Sequence, residues 1–172
     1  MKLIHKGQKG FTLVELLIVI AITGLITGGI TATIFQVFNI NTHNTNRMTA
    51  VRQVQQAGFW VSPDVQMAQG VNASGSPDVL LTLTWNEWAI NNTHEVIYTL
   101  EGMLSGGLKK LQRSESVNGG NSTVTRVAEY IDPDPEKTKC DWDGSVLTFK
   151  VTATVGEESE TRVYKVEPRP ES

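Results

Sequence analysis

The feature that most constrains this chain lies near its start. A short basic stretch, residues 1–10, is followed by an apolar run from Phe11 to Phe38 that holds a single carboxylate, Glu15. About twenty consecutive apolar residues suffice to carry a helix across a bilayer. A carboxylate near the end of such a span is costly and marks a functional position by default. The leading stretch carries Lys2, Lys6 and Lys9 and no acid. The positive-inside rule therefore places the N-terminus in the cytoplasm and the C-terminal body outside, as a single-pass inner-membrane protein. A general secretory signal keeps its apolar core ahead of the cleavage site. Here the core lies behind the only plausible cut, so the residues leave a processed leader or an uncleaved signal anchor as the two readings.

The run Lys9-Gly10-Phe11-Thr12-Leu13-Val14-Glu15-Leu16-Leu17 sets glycine, phenylalanine and a glutamate at fixed offsets. It resembles the class III leader of type IV prepilins and type II secretion pseudopilins, over roughly the first forty residues. The resemblance implies a cut between Gly10 and Phe11 by a prepilin peptidase and methylation of the new amine on Phe11. It implies a structural subunit with no enzymatic activity and no cofactor. That subunit joins other pilin or pseudopilin subunits through its N-terminal helix, contacts membrane lipid, and ends in a cell-surface or periplasmic filament. It also implies an α+β fold of ladle type, with a long N-terminal helix, membrane-spanning and then amphipathic, packed on an antiparallel β-sheet head. In this family the glutamate, here Glu15, is held to meet the N-terminal amine of a neighbouring subunit. A buried amine and a buried carboxylate are each costly alone and tolerable as a pair. The alternative is a Glu15 that snorkels to the membrane surface. Many type IV pilins carry a proline midway through this segment; here Gly24, Gly28 and Gly29 stand in its region instead. Gly24 and Gly28 form a small-xxx-small pair of the kind that lets membrane helices approach closely.

The organisation read from the chain is a leader (1–10), an assembly helix (11–38), an amphipathic continuation (39–70) and a sheet head (71–172). The polar stretch Asn39 to Asn46 is poor in helix formers, and marks either a break or a solvated turn within one helix. Met48, Val51, Val54, Gly58, Val61, Val65 and Ala68 then recur at alternating spacings of three and four, one face of an amphipathic helix, with Phe59 and Trp60 broadening it. Ser62-Pro63-Asp64 predicts a kink or restart, and Gly70 a stop. One helix from 11 to 61 would be about 75 Å long. Beyond it, β-formers cluster at 79–85, 95–100, 108–112, 123–131, 146–155 and 161–166, separated by short turns, which predicts an antiparallel meander.

Removing Lys2, Lys6 and Lys9 from the 15 basic residues leaves 12 against 18 acidic ones, net −6. Nucleic-acid binding, which needs a basic footprint, is not expected of such a body. With Cys140 the only cysteine, an intramolecular disulfide is impossible. No hydrolase elbow, phosphate loop or dinucleotide fingerprint occurs, which disfavours an anchored hydrolase. An anchored binding module that never polymerises is the alternative to a filament subunit. Asp132, Asp134, Glu136, Asp141 and Asp143 gather five carboxylates late in the chain. They read as a solvated acidic loop by default, with calcium as the lesser alternative, since the spacing is not that of an EF-hand. Trp85 and Trp88 flank a strand end, either as core residues or as an exposed aromatic patch.

Overall fold

The computed structural model describes residues 10–73, 78–87, 89–104 and 106–169. Leader residues 1–9, with Lys2, Lys6 and Lys9, and Trp88 of the aromatic pair lie outside the described residues. The fold is α+β. One helix, α1 (Leu13–Met67), is followed by β1 (Gly70–Asn72), β2 (Val79–Glu87), β3 (Asn92–Gly102), β4 (Lys109–Val117), β5 (Thr123–Ile131), β6 (Lys139–Trp142), β7 (Leu147–Val155) and β8 (Glu158–Val166). The chain divides into two compact units, Met1–Thr42 and His43–Ser172, and α1 contributes to both.

In the first unit α1 is apolar and exposed throughout, and it is long and apolar enough to cross a membrane. Three of its threonines do not carry open hydroxyls into that environment. Thr23 donates to the carbonyl of Val19 at 2.7 Å, Thr31 to Thr27 at 2.8 Å and Thr33 to Gly29 at 2.9 Å. Polar groups in hydrocarbon must be satisfied within the segment, and these are.

The polar residues Asn39–Asn46 are helical, and in the second unit the helix runs through Pro63 without a break. The expected restart at Ser62-Pro63-Asp64 therefore does not occur, and the helix ends at Met67, with Gly70 opening β1. Proline costs a helix the hydrogen bond to the carbonyl four residues back. Here that carbonyl belongs to Phe59, and both Phe59 and Pro63 lie on the exposed side, which is open to solvent. The buried face is Ala50, Val54, Ala57, Gly58, Val61, Asp64, Val65 and Ala68. It is the predicted stripe with three corrections: Met48 is 59 % and Phe59 71 % exposed, and Val51 is only half-buried. Met48 and Phe59 face away from the sheet, because the stripe's true phase runs through the small residues Ala50 and Ala57.

All pairings in the eight-stranded sheet are antiparallel, in the order β1-β2-β3-β4-β5-β7, with β6 and β8 both on β7. Period-two alternation turns Leu81 and Leu83, Val96, Tyr98 and Leu100, Leu111, and Phe149, Val151 and Ala153 into one core with the helix. The predicted strands exist, and β4 runs on to Val117. β1 and β6 were not anticipated; each is too short to show alternation. At Asn118-Gly119 both φ angles are positive and Gly120 N bonds Val117 O at 2.9 Å, a tight hairpin turn in the strand-compatible hand. Near the end of β5 the register shifts: Leu111 faces Ala128 while Lys109 faces Ile131. Tyr130 absorbs the extra residue at φ 60°. Glu129 N, on that irregular stretch, donates to Gln53 Oε1 of α1 at 2.7 Å. Cys140 packs against the core, and burial, with the charge of Asp141 second, pushes its thiol up to about 12.

Candidate functional site

Gly10, Phe11 and Thr12 precede α1 in non-helical backbone, and all are exposed, Phe11 by 82 %. The peptide bond between Gly10 and Phe11 is thus open on the described side. A Cβ built on Gly10 would meet nothing within 4 Å among the described residues. Gly24, Gly28 and Gly29 are equally unconstrained by their own chain.

Glu15 has a role within the chain that the sequence reading did not foresee. Its Oε2 accepts from Thr12 N and from Thr12 Oγ1, both at 3.2 Å, while Glu15 N donates back to Thr12 Oγ1 at 3.2 Å. This is a reciprocal capping box on the first turn, and it satisfies amide groups that no helical carbonyl can reach. The carboxylate also sits favourably at the positive end of the helix dipole. The signal is present in the sequence as Thr-x-x-Glu ahead of an apolar run, where it coincides with the leader motif.

The second unit holds a buried polar cluster under α1. Asp64 and Arg113 are 4 % and 8 % exposed. Arg113 Nε donates to Asp64 Oδ2 at 2.6 Å and its Nη2 to Asp64 Oδ1 at 3.0 Å, a two-pronged pair. Tyr98 Oη donates to the same Oδ2 at 2.5 Å. Burial first, then the hydrogen bond to Asp64, pushes the Tyr98 phenol well above its usual range. Burial works against the Arg113 charge, but its bonds to Asp64 and Glu115 outweigh it and hold the guanidinium protonated. Trp60 covers the guanidinium at 5.6 Å from its ring centre. Arg113 Nη1 reaches Glu115 Oε2 at 2.7 Å, and this bond is the main reason the Glu115 carboxyl lies below its ordinary value, against an opposing effect of burial. His94 continues the line: Nδ1 is 3.2 Å from Glu115 Oε1, and its ring stacks on Trp85 with centres 5.1 Å apart. His94 Nε2 is buried, lies 3.4 Å from Glu87 Oε2, and makes no hydrogen bond among the described residues. No local pattern announces this cluster. Asp64 and Arg113 are 49 positions apart, and only the fold joins them.

The five late carboxylates do not converge. Among the described residues no group of three or more metal-ligating side chains is placed to hold an ion. Asp132 pairs with Lys137 at 2.8 Å, Asp134 Oδ1 accepts from Glu136 N at 2.9 Å, and Asp141 faces Lys139 at 3.3 Å. Asp143 closes its own turn, accepting from Ser145 N at 2.8 Å and Val146 N at 2.7 Å; these bonds hold its carboxyl below the usual range. Trp85 is partly buried against the core.

Residues 5–31 match the prokaryotic N-terminal methylation motif, the prepilin-type leader of pilins and pseudopilins. No curated protein and no solved structure matches the chain.

Proposed function

We propose that this chain is the precursor of a structural pilin-type subunit. It is cut between Gly10 and Phe11, methylated on the new amine of Phe11, and assembled through α1 into a type IV pilus or type II secretion pseudopilus. The observation that carries the reading is the matched leader running directly into an exposed, membrane-length apolar helix. The glycines support it. Among the described residues nothing crowds Gly10, as expected if its shape is read by the peptidase. Gly24 and Gly28 leave open surface on α1 where another helix can approach closely. In this reading Glu15 leaves its bond to Thr12 and takes the Phe11 amine of a neighbouring subunit, which fixes axial register in an otherwise apolar bundle. The N-terminus starts in the cytoplasm and the head outside, after which the subunit enters the filament.

Intact-mass measurement of protein from cells with an active prepilin peptidase tests the first step. The expected mass lacks residues 1–10 and carries one added methyl group. A chain that retains Met1 would overturn the reading. A processed chain that never enters sheared surface fractions would point to an anchored module that does not polymerise.

A further inference from the structure

A cleft of about 320 Å³ lies between α1 and β5, lined by Arg52, Gln53, Gln56, Arg126 and Glu129 together with Val127 and Ala128. Gln53 is occupied by the amide of Glu129. Arg126 Nη1 bonds Glu129 Oε1 at 2.8 Å. Arg52 and Gln56 have no partner among the described residues. Two guanidinium groups against one carboxylate leave the cleft positive, in a chain that is net acidic. Its unused groups are mainly donors: the fork of Arg52, the NH2 of Gln56, whose carbonyl also accepts, and the remaining N–H groups of Arg126. Such a set calls for carboxylates.

The same chain presents them. In the loop Asp132-Pro133-Asp134-Pro135-Glu136, residues 134–136 are exposed and the Glu136 carboxylate has no partner among the described residues. The two prolines fix φ, and Asp132 and Asp134 close turns onto Asp134 N and Glu136 N, so little freedom is lost on docking. The loop lies on the outer side of β7. Lys150 Nζ donates to Glu136 O at 2.6 Å and Thr152 Oγ1 to Lys137 O at 2.8 Å. Lys150 and Thr152 alternate with Phe149, Val151 and Ala153, which face the helix core. The cationic cleft is therefore on the helix side of the sheet and the acidic loop on its back. A contact between the two in different copies is heterologous, and heterologous contacts propagate when they do not close into a ring.

We propose that the Arg52–Arg126 cleft is the socket for the Asp134–Glu136 loop of a second copy of this chain, joining the folded units head to tail. The proposal rests on the assembly reading and names the surfaces that carry it outside the apolar helix.

The test is oxidative cross-linking of the full-length chain in cells that process it. Cys140→Ala removes the native thiol, and Gln56→Cys with Glu136→Cys places one thiol on each surface. Both positions are exposed, and a disulfide forms only where the backbones come within about 7 Å. The expected result is a ladder of dimers, trimers and higher species from the double-cysteine chain, with nothing beyond dimer from either single-cysteine chain. Separately, Arg52→Glu should lower the sheared-filament fraction about two- to five-fold, as loss of an exposed pair does, and Glu136→Arg in the same chain should restore it. A processed chain that fills sheared filaments without a ladder overturns this inference and leaves the assembly reading standing. Cross-linked dimers alone would mean a two-fold contact and overturn it too. If Arg52→Glu leaves the ladder unchanged and instead abolishes retention on duplex DNA, the socket's occupant is a nucleic acid and the proposal fails. An unprocessed chain without a ladder removes both readings together.

Discussion

The pair Asp64 and Arg113 shows how much a single residue can hold in this fold. Both charges are taken out of water, and the exchange is tolerable because each prong of the guanidinium meets a carboxylate oxygen while Tyr98 takes a further lone pair. Arg113→Met strands the Asp64 carboxylate under the helix and should cost about 3–5 kcal/mol. Combining it with Asp64→Leu should cost far less than the two single changes summed; urea unfolding of the fragment from His43 onward measures both. Glu115 adds a pH dependence. Its folded value lies below its ordinary 4.5, so its contribution is fully present above that pH and is lost as pH falls through the lower folded value. Glu115→Gln should flatten the acid limb of a melting-temperature profile and leave the neutral limb's slope unchanged. None of this was legible in the sequence. Ser62-Pro63-Asp64 carries a strong local signature of a helix start, and that signature hid an aspartate whose partner is supplied by a distant strand. Glu15 was legible as an anomaly among apolar residues, yet its bonds to Thr12 needed the three-dimensional turn.

At the scale of elements, the helix and the long strands were legible because each has an unbroken period. The stripe through Val54, Val61 and Val65 follows the helical repeat, and Leu147–Val155 alternates cleanly. What escaped was phase and brevity: Phe59 lies on the outer face, and β1 and β6 span three and four residues. Close approach was invisible as well. A Cβ on Gly58 would lie only 2.1 Å from Cζ of the Tyr164 ring, whose hydroxyl donates to Val54 O at 3.0 Å. The helix rests on β8 through that contact, so Gly58→Ala should destabilise the second unit by about 1–3 kcal/mol through overpacking. Tyr164→Leu introduced with it should recover part of the loss, read as a melting temperature above that of Gly58→Ala alone. Gly156 has a similar constraint at the β7–β8 turn, where φ is 60° and a Cβ would lie 2.6 Å from Asn46 Nδ2.

For the whole molecule, the leader and the membrane-length run were legible because covalent order alone expresses them, whereas the head's surfaces depend on which strands the fold brings together. The consequences of Glu15 belong at this scale. Glu15→Val raises apolarity, so membrane insertion should be at least as complete as in the parent. Cleavage at Gly10 should persist, since Gly10 and Phe11 precede the helix. Thr12 loses its partner carboxylate, which frays only the first turn. The processed variant should then accumulate in membranes and be scarce in sheared filaments; equal incorporation of variant and parent would show that Glu15 serves only the cap. The Asp64–Arg113 fork has a further consequence, in terms of force. Tension along residues 43–67 of α1 would slide the helix over the sheet and load both prongs of the pair at once, in shear. Apolar contacts under such a load can exchange one neighbour for the next, as teeth slip along a rack. A buried two-pronged ion pair has no next partner one turn away, so it holds its position until it breaks, and it turns the helix's seat on the sheet from a sliding contact into a bolted one.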